Sequence, residues 1–174
     1  MIERTQRKSP FVPAKAGTQL FLSILAAVTL LSATAHAKTQ WATYTNVRFA
    51  FAVDYPRDIF TGYAEPDNSD GATFKTDAPW VEMRAWGSYN VEKQSPRAAV
   101  AARYAGKPLD YSSIKRDSYV VSGSERGAIF YDRCNFTGDR VLCVALVYPA
   151  AQKETWDKIV ARVSRSLRAV KRGR

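Results

Sequence analysis

Few side chains in this sequence bear on chemistry, and their spacing narrows what they can do. Ser112-Ser113-Ile114-Lys115 has the Ser-x-x-Lys spacing by which some acyl-transfer enzymes pair a serine nucleophile with a lysine. Such enzymes set the pair at a helix start and complete it with Ser-Asp-Asn and Lys-Thr-Gly elements. Here the segment is strand-like and neither element occurs, so we read the spacing as coincidence. Glu65, Asp67 and Asp70 offer oxygen ligands in a turn-rich loop. For a calcium loop, however, the glycine falls one position late, at Gly71, and the closing glutamate is missing. A polar turn is expected there, with no metal. Separated carboxylates can serve a glycosidase, but nothing in the sequence brings any pair together.

Histidine decides more. The single histidine, His36, lies within the first 37 residues. If that segment is removed, Ser-His-Asp and Cys-His nucleophile systems cannot be built, and a catalytic zinc site loses its usual imidazole. Both standard glycine-rich phosphate loops are also missing. No cofactor is expected. The reading that follows is a binding protein, with an envelope hydrolase using carboxylates or a Ser-Lys pair as the alternative.

The first 37 residues have the order of a secretory signal peptide. Arg4, Arg7, Lys8 and Lys15 lead into the apolar run Leu20 to Leu31, which ends at Ala35-His36-Ala37. The run is about a dozen residues, too short for the roughly twenty that span a bilayer as a helix. The expected product begins near Lys38 and is periplasmic or secreted, with no transmembrane segment; an uncleaved anchor is the alternative. Removing the leader leaves twenty-two Lys and Arg against fifteen Asp and Glu, so the mature chain stays cationic. Such a charge favours anionic partners without specifying a fold.

Cys134 and Cys143 both fall in the exported part, where a disulfide persists. Two strand-like segments, 127–136 and 141–148, flank the turn-like Thr137-Gly-Asp-Arg140. With Gly138-Asp139 as a two-residue hairpin loop, residue 137 faces 140 and, counting outward, 134 faces 143. The count puts the cysteines in a non-hydrogen-bonded pair, where the strands approach most closely and a cross-strand disulfide fits. Two free thiols acting as small apolar groups are the alternative.

Positioning elements follow from periodicity. Val47, Phe49, Phe51 and Val53 alternate with smaller or polar residues as in a strand with one buried face, which Tyr55-Pro56 ends. Strands are expected at 72–75, 80–86, 110–115 and 118–122. Ser95-Pro96 marks a helix start and Gly106 its stop. A long helix is expected from Ala151 to Val170, with Trp156, Ile159, Val160, Val163, Leu167 and Val170 along one side. Nearly across the wheel stand Lys158, Arg162, Arg165 and Arg172; together with Arg168 and Lys171 they form the candidate contact for an anionic surface, against the plainer reading of a solvated face. No aromatics interleave with these charges as single-strand binders require, so nucleic acid is not expected; anionic envelope lipid or polymer is the better match. Trp80, Trp86 and Tyr89 line a pocket or, as is commoner for tryptophan, join the core.

The stretch Val47-Arg-Phe-Ala-Phe-Ala-Val-Asp-Tyr-Pro-Arg-Asp-Ile-Phe60 resembles the opening of PsbP-like domains, where an aromatic-rich strand runs into Tyr-Pro and another aromatic follows. The element order is also similar. The resemblance implies an α+β fold with a single antiparallel β-sheet flanked by helices, and a mostly non-enzymatic accessory or binding role outside the cytoplasm. It assigns no site residues, because no metal or partner motif of that family is matched. The expected organisation is a signal peptide at 1–37, one PsbP-like α+β domain at 38–170 and a basic tail at 171–174, with an unknown protein or small ligand as partner.

Overall fold

A computed structural model describes residues 39–171. The expected signal peptide, His36 included, and residues 172–174 lie outside the described residues. Ten strands and two helices follow one another: β1 (Trp41–Asn46), β2 (Phe51–Pro56), β3 (Gly62–Ala64), β4 (Gly71–Lys75), β5 (Glu82–Tyr89), α1 (Pro96–Arg103), β6 (Tyr111–Ile114), β7 (Ser118–Glu125), β8 (Ala128–Thr137), β9 (Arg140–Pro149), α2 (Lys153–Ser166) and β10 (Arg168–Ala169).

The single sheet expected from sequence is replaced by two, both antiparallel. One holds three strands in the order β1-β2-β10; the other holds seven in the order β3-β4-β5-β9-β8-β7-β6. The reason lies in β2. Phe51, Ala52 and Val53 are all buried, so this strand is covered on both faces and the small alanines count as apolar. Its backbone is consumed by β1, which the periodicity did not reveal, and by β10. The alternation that reached back to Val47 also began too early: Val47 is 85% exposed in the turn before β2.

Several local signals act as expected. Ser95 Oγ accepts the Ala98 N–H at 3.2 Å, Pro96 opens α1, and Gly106 takes φ +72 beyond its end. In the β8–β9 hairpin Thr137 faces Arg140 and Cys134 faces Cys143. Gly138 alone of the loop pair takes positive φ, +61, the pattern of a II′ turn that suits the strands' twist. The cysteines form a disulfide across a Cα separation of 4.2 Å, as a closely spaced pair allows.

The last helix is shorter than its periodicity promised. It stops at Ser166, Leu167 turns to extended backbone, and Arg168 and Ala169 pair with Ala52 and Phe51 of β2. Ser166 Oγ donates to the Val163 carbonyl and accepts the Asp54 N–H, so it ties the helix end to β2. An unpaired β2 edge offers backbone partners that another helical turn would leave unmet.

Two cores result. Phe51, Val53, Met83, Leu142, Val144, Leu146, Trp156 and Val163 fill the space between α2, the small sheet and one face of the large sheet. On the opposite face α1 covers Val100, Tyr104, Tyr119, Val121 and the disulfide. Tyr44, Tyr104, Tyr119, Tyr131 and Tyr148 all have phenols pushed above the ordinary range, chiefly by burial, with Tyr148 raised to about 12. A raised folded-state pKa means that the fold keeps protons the unfolded chain releases near pH 10. That stability is complete below about pH 10 and is lost as pH climbs toward 12. In an alkaline titration, tyrosinate absorbance from these residues should rise together with the loss of circular dichroism. Ionisation of all the tyrosines near pH 10 in a still-folded protein would contradict it.

Candidate functional site

Two of the outward cations share a carboxylate partner. Arg162 lies 3.9 Å from Asp54 and its guanidinium sits 4.1 Å over the Trp41 ring, while Arg168, on β10 and not on the helix, lies 3.4 Å from Asp54. Asp54 also accepts the Thr43 hydroxyl at 2.9 Å. These two arginines therefore tie α2 and β10 to β2. Lys158 and Arg165 are exposed and make no ion pair among the described residues; Lys171 is exposed at the last of them, and Arg172 lies outside them.

Arg165 belongs to a groove. Pairing of β6, β7, β8 and β9 stacks Tyr111, Ser122, Tyr131 and Leu146 in one rung and Ser113, Val120, Arg133 and Val144 in the next. These rungs share the face that α2 covers only over β8 and β9. Between the helix and the uncovered strands lies a groove of ≈ 770 Å³, with Tyr131, Arg133, Ser164 and Arg165 among its lining. The Tyr131 and Ser164 hydroxyls are 2.7 Å apart. Burial raises the Tyr131 phenol; its bond with the Ser164 hydroxyl and, less strongly, the guanidinium groups of Arg133 and Arg165 oppose that rise.

A second cleft, of ≈ 510 Å³, opens on the other face between α1 and β5. Trp86, Tyr89, Phe136 and the disulfide line it, so two of the three singled-out aromatics meet there. Trp80 does not: it stands alone, 81% exposed, at φ +61 before β5. Arg103 lies 5.1 Å over the Trp86 ring and 3.6 Å from the buried Asp132, which also accepts the Tyr104 hydroxyl. Tyr119 Oη is 3.1 Å from Cys134 Sγ; since the sulfur carries no proton, the hydroxyl donates. Asn90, Glu92 and Gln94 at the rim are hydrogen-bonded to one another. Each of these polar groups thus already has a partner.

Ser112 and Lys115 are exposed at the β6 edge and line neither cavity. Glu65 accepts the Tyr44 hydroxyl at 2.7 Å and Asp70 the Asn68 amide at 2.9 Å, as in a polar turn. Among the described residues no three His, Cys, Asp or Glu side chains gather to hold a metal, and no helix is long and apolar enough to cross a membrane. Sequence reasoning missed Arg133 and Asp132. Their signal was present, since adjacent opposite charges inside an apolar strand must point to opposite faces.

No family model matches the chain, and no curated protein matches it by sequence. Among solved structures, cyanobacterial PsbP (CyanoP) from Synechocystis sp. PCC 6803 superposes with a TM-score of 0.55, over 80% of this chain and 98% of that one, at 11% identity. A protein from Bacteroides thetaiotaomicron VPI-5482 matches with a TM-score of 0.45 at 17% identity, over 76% of this chain and 49% of its own.

Proposed function

Starting from a PsbP-like fold, we propose that this chain is an exported, non-enzymatic accessory domain of a bacterial-type cell envelope, and that it meets an anionic partner through the free cations of α2. The observation that carries the reading is the exposure of Lys158 and Arg165 on one helix ridge without carboxylate partners among the described residues. The fold likeness, the leader-like first 37 residues and the disulfide agree with it.

The protein should sediment with phosphatidylglycerol vesicles at low salt and be released at 0.5 M salt, where screening acts over about 4 Å. Reversing one charge, Lys158→Glu, should weaken the association about thirtyfold, because each cation near an anionic surface contributes about 1 kcal/mol and two charges change. Binding indifferent to both salt and Lys158→Glu would sink the surface contact. Truncation before Arg162 is not a usable test, since it also removes the buried Val163 and Leu167. N-terminal sequencing of protein from the envelope should begin near Lys38.

A further inference from the structure

The alternation of β8 sends Asp132 to the α1 face and Arg133 to the α2 face. Asp132 meets Arg103 and the Tyr104 hydroxyl. Arg133 has no such counterpart. Its cross-strand neighbours are Val120 and Val144, and its one side-chain bond among the described residues is from Nε to Asn135 Oδ1, at 3.1 Å. Arg133 is half-buried on this face, so part of its guanidinium loses water with no anion to replace it. The groove adds a second unpaired cation, Arg165. Of its two carboxylates, Asp157 is paired with Lys153 at 2.7 Å, and the exposed Asp110 keeps its charge while it accepts the Ser124 hydroxyl at 2.6 Å. Val120, Ile129 and Val160 supply apolar lining beside the Tyr131 and Ser164 hydroxyls.

We propose that this groove binds a small amphiphilic oxyanion, a carboxylate or phosphate held between Arg133 and Arg165 with an apolar body resting on Val120, Ile129 and Val160. The guanidinium fork matches either oxyanion, and a volume of ≈ 770 Å³ falls within the range of small-molecule sites. Arg165 is common to this site and the vesicle contact, whereas Lys158 does not line the groove, so Lys158 tells the two apart.

The test is calorimetric titration of the purified protein with decanoate, decyl phosphate, decanol and inorganic phosphate, all below micelle formation, with amide shifts mapping the contact. At least one decyl anion should bind, with shifts at Val120, Tyr131 and Ser164, and the preferred anion names the source. Decanol and inorganic phosphate should each bind at least about tenfold more weakly, and Arg133→Met and Arg165→Met should each cost about tenfold, as loss of one charge-assisted contact predicts. Arg165 is exposed, so its variant serves if Arg133→Met fails to fold. Lys158→Glu should leave decyl-anion binding unchanged, which separates this site from the surface association. Equal binding of decanol, wild-type affinity in both folded arginine variants, or shifts confined to the Lys158 ridge would each overturn the proposal.

Discussion

Phe51→Ala should destabilise the protein by about 3–5 kcal/mol, the usual cost of emptying a buried phenylalanine site. Phe51 is fully buried in β2, meets Tyr44 edge-on at 5.9 Å, and lies opposite Asn46 on one side and Ala169 on the other. It sits where the small sheet, α2 and the large sheet share one core, so the cavity would be lined from several elements and could collapse little. Urea unfolding should show the full loss in one cooperative transition. Val47→Ala, four residues earlier in the same apolar run but exposed, should shift stability by no more than about 0.5 kcal/mol. A loss under about 1 kcal/mol in Phe51→Ala, or a separate early transition, would mean that the three-stranded sheet is not part of the common core.

Removing the disulfide comes next in size. Cys134 and Cys143 are nine positions apart, and the loop they close restricts the unfolded chain by about 2–3 kcal/mol in the chain-entropy treatment. The double variant Cys134→Ala, Cys143→Ala should therefore melt about 10 °C lower, and reduction of the wild-type protein should reproduce most of that shift. Both cysteines are buried beneath α1 with Tyr119 and Val121, so loosening should be felt first in amide exchange of α1 and the turn of β8–β9. Non-reducing mass spectrometry should yield a single peptide pair joining the two. Two alkylatable thiols in protein taken from its own cells would remove both the cross-link and the support it lends to export.

Legible in the amino-acid sequence is whatever a short window of residues settles alone. Ser95-Pro96 caps α1 because capping involves neighbours in sequence. Gly138-Asp139 sets the hairpin register, and the register brings Cys134 to Cys143. The PsbP-like architecture was also legible in outline, from the aromatic strand running into Tyr55-Pro56 and the order of elements. Failures came where distant segments compete for the same groups. Helical periodicity carries α2 on to Val170, yet the open edge of β2 takes Arg168 and Ala169 into a strand; β1 and β10 together make a second sheet that no local pattern announces.

The candidate site divides along the same line. Sequence alone determined which residues are charged and that α2 turns cations outward, since a wheel needs only the helix. Only the tertiary structure decided which of those cations are spent. Asp54, more than a hundred residues away in the chain, pairs with Arg162 and Arg168, and the packing of α2 against β8 puts Arg133 and Arg165 in the lining of one groove. Charge is a property of one residue, whereas the partner that cancels it is a property of the fold, because Coulomb attraction depends on distances that only packing supplies.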